Sequence, residues 1–104
     1  MSIKNNQEKI KKTICFDIDG VICTNTWGNY SQAKPNSNAI KKINELYESG
    51  NKIILFTARF MGRNNESVEK TYMDGYEFTK NQMTDWGVKF HKLKMGKPSY
   101  DIVI

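Results

Sequence analysis

Asp17 and Asp19 stand two residues apart in Phe16-Asp17-Ile18-Asp19-Gly20-Val21. Carboxylates at that spacing, at the end of an apolar run, point broadly the same way, and keeping both ionised is costly unless a cation compensates. Magnesium, a hard ion that seeks oxygen ligands, is the natural partner. The chemistry served by such a pair is phosphoryl transfer. One carboxylate takes the phosphoryl group, the other handles protons, and the spreading charge needs the metal, a lysine and hydroxyl or backbone donors. Elsewhere the chain carries Thr57, in Leu55-Phe56-Thr57-Ala58-Arg59, and Lys97, in Gly96-Lys97-Pro98.

The elements between these residues must bring them together. Residues 13–18 form a short apolar run that breaks at Gly20, the pattern of a strand buried on both faces. Residues 23–34 have no sustained period and read as a long loop, and Pro35 with Asn36-Ser37 is a helix entry signal. Ile40, Ile43 and Tyr47, flanked by Ala39 and Leu46, repeat at helical spacing up to Gly50. A second buried strand follows at 52–56. A helix from Asn64 or Asn65 to about Met73 is expected to break at Asp74-Gly75, with helical spacing resuming from Tyr76 to Trp86 and stopping at Gly87. Val88-Lys89-Phe90 reads as a third strand and Tyr100-Asp101-Ile102-Val103-Ile104 as a fourth.

Strands alternating with helices predict an α/β domain, a three-layer Rossmann-like parallel sheet joined by right-handed crossovers. Ligand crevices in such sheets lie beyond the carboxyl ends of the strands, where Asp17, Asp19 and Thr57 fall. A chain of 104 residues holds one domain at most. We place it at 13–104, after a polar leader at 1–12, with no room for an inserted cap domain, so any lid is a loop. Apolar residues make up 38% and charges of both signs are spread along the chain, which excludes a disordered class. The net charge of +5 draws anionic ligands: nucleic acid, a nucleotide sugar or a small phosphate ester. Cys15 and Cys23 lack zinc-ligand spacing and read as reduced structural thiols in or beside a buried strand. Residues 1–12 contain neither a signal peptide nor a membrane span, so a cytoplasmic protein with no membrane partner is expected.

Taken together, Phe16-Asp17-Ile18-Asp19-Gly20-Val21, Leu55-Phe56-Thr57-Ala58-Arg59 and Gly96-Lys97-Pro98 resemble, in order and strand context, the first three motifs of the haloacid dehalogenase superfamily. The stretches at Trp27-Gly28 and Thr57-Ala58-Arg59-Phe60-Met61-Gly62-Arg63 are similar to small capless phosphatases of bacterial capsule and surface-polysaccharide synthesis. The resemblance implies a magnesium-dependent phosphomonoester hydrolase acting on a phosphorylated sugar or sugar derivative. It makes Asp17 the nucleophile and metal ligand. Asp19 becomes the general acid and base, lending its backbone carbonyl to the metal. Thr57 and Lys97 hold phosphate oxygens, with Lys94 close enough to compete for the lysine's role. Gly20, Ala58, Arg59, Arg63 and Trp27 are carried as substrate-binding residues.

Structural roles compete at several positions. Thr57 is also a good turn cap, Arg59 and Arg63 read equally as surface arginines, and Trp27 and Tyr30 either close over substrate or anchor their loop. His91 is assigned no role. The superfamily's fourth motif, an acid after the next strand, has no counterpart before Ile104, and Asp101 precedes that strand's end by roughly 10 Å. Asp74 and Asp85 fall in helical segments and do not replace it. We therefore expect a longer native chain with an acid after Ile104. A catalytically impaired domain that binds a phosphorylated ligand or partner protein, a polynucleotide end phosphatase and a phosphoacceptor domain are the alternatives. The last lacks the acceptor aspartate that should end a middle strand.

Overall fold

In the computed structural model, residues 11–98 are described. The strand expected at 100–104 and most of the leader lie outside them. Within them the order is β1 (Thr13–Asp17), α1 (Ser37–Glu48), β2 (Lys52–Phe56), α2 (Val68–Asp85) and β3 (Lys92–Lys94), with 3-10 turns at Tyr30–Gln32 and Gly62–Asn64. The strands lie side by side in the order β1-β2-β3, all parallel.

The register places Ile14 beside Ile53 and aligns Phe16, Leu55 and Leu93, so these five side chains share one face of the sheet. They join one core with Ile40 and Ile43 of α1 and Met83 of α2. Both helices therefore cover the same face, as consecutive strands joined by right-handed crossovers require. The opposite face carries Thr13, Cys15, Lys52, Ile54, Phe56, Lys92 and Lys94, all half-buried or exposed. Among the described residues the domain has two layers rather than the expected three. Among the described residues β1 lies at one end of the sheet and its side chains are half-buried or exposed, against the expectation of burial on both faces, whereas Ile53 and Leu55 of central β2 are fully buried. Cys15 and Cys23 are both free thiols; Cys15, read as a structural thiol in or beside a buried strand, is exposed, and Cys23 is buried.

Helix α1 follows its local signals. The Asn36 side chain accepts from the Ala39 N–H at 3.1 Å, a cap that stabilises by about 1 kcal/mol, and Gly50 ends the turn at φ 98°. Helix α2 departs from the expectation. It runs unbroken through Gly75, with Ser67 as its cap. Thr71, Gly75, Thr79 and Met83 recur every fourth residue as its buried seam. A Cβ at Gly75 would lie 2.3 Å from Cδ2 of Phe60, so the glycine serves the close approach of that ring rather than a helix break. The helix starts later than expected because Asn65 and Glu66 take left-handed backbone, at φ 53° and 63°.

Strand β3 lies at 92–94 instead of 88–90. Val88 is still leaving α2, its N–H donating to the Met83 carbonyl at 3.0 Å. His91 then meets β2 twice: its N–H donates to the Ile53 carbonyl at 2.9 Å, and its Nδ1 accepts from the Ile53 N–H at 3.0 Å. A side chain thus stands in for a ladder partner, and regular pairing begins one residue later. None of the helices among the described residues is long and apolar enough to cross a membrane.

Candidate active site

Asp17 is paired in register with Phe56, so the residues that follow, Thr57 on one strand and Ile18-Asp19 on the other, leave the sheet at the same edge. The chain after β3 stays beside them. The Thr57 N–H donates to the Lys94 carbonyl, and the Lys97 N–H donates to the Thr57 carbonyl, both at 3.1 Å. This lays Lys97 along the carboxyl edge, where its ammonium forms an ion pair with Oδ1 of Asp17. Lys94 pairs with Phe56 within the sheet, its ammonium 5.9 Å from that ring's centroid. Of the two competing lysines, Lys97 is the one at the aspartate. Asp17, Asp19, Thr57, Ala58, Arg59, Arg63, Trp27 and Lys97 line one cavity of about 580 Å³.

Gly20 is not among the lining residues. It sits at φ 90° in a tight turn whose Val21, Ile22 and Cys23 N–H groups all point to the Ile18 carbonyl. The glycine shapes the loop leaving β1. Thr57 is buried, and its Oγ1 accepts from the Arg59 N–H at 3.0 Å. Thr57 therefore caps the turn, and its hydroxyl proton is still available for donation.

Arg59 is only 1% exposed, which excludes a surface arginine. Its Nε and Nη2 donate to the two carboxylate oxygens of Asp19, each at 2.9 Å, a bidentate charge-assisted pair. The third nitrogen, Nη1, donates to Oε1 of Gln82 on α2 at 2.7 Å, and the guanidinium lies 4.6 Å from the Tyr30 ring centroid. Cys23 completes the group: its Sγ lies 3.5 Å from both Asp19 Oδ1 and Arg59 Nη2. Burial, and next the negative charge of Asp19, push the Cys23 thiol up to about 11, so it stays protonated at neutral pH. Sequence reasoning misses Cys23 and Gln82 as members of the site, since no local pattern marks a residue whose role is a contact made across the fold.

The two aromatic residues of the long loop part company. Tyr30 anchors it: its hydroxyl accepts from the Phe60 N–H at 3.1 Å, and its carbonyl accepts from Gln82 Nε2 at 2.8 Å. Trp27 stays on the rim, 88% exposed, with left-handed backbone at φ 55°. Arg63 is exposed and lies over the Phe60 and Tyr30 rings, 4.4 and 5.5 Å from their centroids, and it donates to the Gly28 carbonyl at 2.9 Å. Phe60 itself is held at φ 69°, a conformation that costs about 1–2 kcal/mol for a bulky residue and persists because its ring is wedged against Tyr30 and Gly75.

Fold and site together define an α/β parallel-sheet protein with an acidic pair, a threonine and a lysine gathered at the carboxyl edge. No family model matches the chain, and no curated protein does. A crystal structure of a target protein from Vibrio cholerae is similar, with a TM-score of 0.79 and 23% identity over 85% of this chain and 72% of that one. At that identity the likeness shows the fold.

Proposed function

We propose that the chain is the core of a capless magnesium-dependent phosphomonoester hydrolase of the haloacid dehalogenase type, with a phosphorylated sugar or sugar derivative as substrate. The observation that carries this reading is the convergence of Asp17, Thr57 and Lys97 on one cavity from three separate strand ends. An Oδ atom of Asp17 bonds to phosphorus as the ester P–O bond breaks; the departing alcohol oxygen keeps the bond's electron pair and takes a proton from Asp19, which enters the step protonated with one oxygen turned away from Arg59. Asp19, now a carboxylate, takes a proton from water as the water oxygen bonds to phosphorus and the bond to Asp17 breaks. Phosphate leaves and both residues are restored. Lys97 and the Thr57 hydroxyl hold the phosphate oxygens as charge moves across them.

A hard divalent ion fits the donors in kind. Lys97 holds one oxygen of Asp17, leaving the other, and that carboxylate is half exposed at the cavity. Magnesium is commonly held by one or two carboxylates, substrate phosphate and water. Asp19 has both oxygens on Arg59, so its contribution is its backbone carbonyl. The ion supplies charge neutralisation where two anions must approach.

The test is magnesium-dependent release of phosphate from p-nitrophenyl phosphate and a panel of sugar phosphates. Asp17→Asn is expected to reduce it to background, and unchanged release ends the reading. A second reading, a domain that binds a phosphorylated ligand without turnover, is favoured by one feature: among the described residues no three acidic, histidine or cysteine groups converge as a metal site. Calorimetry showing ligand binding without phosphate release would select it. Steeply salt-dependent binding to DNA or RNA would instead favour polynucleotide ends as substrate.

A further inference from the structure

Arg59 has five donors, and most of them are spent inside the protein. Two bonds hold Asp19 and one holds Gln82, whose own amide nitrogen holds the Tyr30 carbonyl. The guanidinium is buried, with the Tyr30 ring 4.6 Å away and Cys23 Sγ at 3.5 Å. A group so committed has little left for a substrate phosphate. The line Asp19–Arg59–Gln82–Tyr30 instead joins the turn after β1 to α2 and to the loop whose exposed end is Trp27 on the cavity rim.

We propose that Arg59 is a positioning residue for Asp19, and that Gln82 couples its hold on Asp19 to docking of the Trp27 loop. This rests on the reading of Asp19 as the proton-handling residue. Two parallel bonds fix the plane of the carboxylate as well as its place, which a single bond does not. Asp19 acts as an acid once one oxygen leaves Arg59, takes up a proton and turns toward the leaving group, while the second bond stays as a pivot that keeps the carboxyl at the cavity. Gln82 fixes the guanidinium through its third nitrogen and takes its own orientation from the Tyr30 carbonyl. When the loop lifts, Gln82 loses its acceptor, and the hold on Asp19 slackens. The acid is therefore in place when the loop covers the cavity.

The experiment compares Arg59→Lys, Arg59→Met and Gln82→Met in the full chain, with p-nitrophenyl phosphate as the substrate that leaves readily and phenyl phosphate as the one that needs a proton donor. Gln82→Met and Arg59→Met are expected to lower kcat for phenyl phosphate about tenfold more than for p-nitrophenyl phosphate, since proton donation accounts for roughly 10²–10⁴ in rate only where the leaving group requires it. KM and inhibition by inorganic phosphate are expected to stay near wild type, and Arg59→Lys to recover part of the loss. Equal losses on both substrates, or a raised KM with weakened phosphate inhibition, overturn the proposal, the latter pointing to direct substrate contact. A second measurement needs no turnover. Asp19 and Gln82 are joined through Arg59, so urea unfolding of Asp19→Asn, Gln82→Met and the double variant is expected to show a combined loss smaller than the sum of the single losses. Strict additivity refutes the relay. Asp17→Asn retaining full phosphate release refutes the phosphatase reading instead, and the unfolding cycle then decides the relay by itself.

Discussion

Lys97 is ion-paired with Asp17 although the two are 80 residues apart in sequence. The contact follows from the path of the chain after β3, which hydrogen-bonds to Thr57 from both sides and so carries its lysine back across the sheet edge. The pair is half open to solvent, and such pairs add at most about 1 kcal/mol to stability. On the proposed reading, its value lies in holding a positive charge where a phosphoryl group would sit.

Lys97→Ala should therefore leave the urea midpoint little changed while lowering phosphate release about 10²–10³-fold, the usual cost of removing one donor to a developing charge. Lys94→Ala, on the neighbouring strand, should leave both near wild type. Parallel unfolding curves and phosphate assays on the two variants check this, and equal losses at both positions would count against the assignment.

Gly75→Ala sets two effects against each other. Alanine is better than glycine in a helix by about 1 kcal/mol. Here its Cβ would lie 2.3 to 2.8 Å from three atoms of the Phe60 ring, and overpacking of that kind costs about 1–3 kcal/mol. Phe60 is pinned by Tyr30 and by its own left-handed backbone, so it has little room to move. A lower Tm is expected by thermal unfolding, with Gly75→Ala plus Phe60→Leu recovering part of the loss.

The two thiols should behave differently. Cys15 is exposed and is expected to react at once with a thiol reagent, whereas Cys23 should react only on unfolding. Burial, then Asp19, raises the Cys23 pKa from 9.0 to about 11. A thiol that holds its proton more tightly when folded contributes stability that is fully present below the lower value and is lost as pH rises toward the higher one. Urea midpoints measured from pH 8 to 11 should fall more steeply for the wild type than for Cys23→Ala, and parallel slopes would contradict this.

His91→Phe keeps a ring to stack on Tyr47, 4.4 Å away between centroids, but removes the acceptor for the Ile53 N–H. Ile53 is fully buried, so the orphaned donor should cost about 1–3 kcal/mol in urea unfolding. A smaller loss would mean that water reaches that amide.

The sequence by itself determined what short-range physics controls. Apolar runs placed β1 and β2, and Asn36 with Gly50 bounded α1, because capping and periodicity act over a few residues. The spacing of Asp17 and Asp19 at a strand end was likewise visible in a single segment. Only the tertiary structure decided the rest, because it depends on which segments meet. Gly75 reads locally as a break, yet the helix continues because Phe60, fifteen positions earlier, needs its bare backbone. Arg59 reads as a surface or substrate arginine until Asp19, Gln82 and Tyr30 are seen to enclose it. Lys94 and Lys97 lie three positions apart, and in the sequence only the resemblance of Gly96-Lys97-Pro98 favours the second. The hydrogen bonds that carry the chain from β3 past Thr57 bring Lys97 to the aspartate.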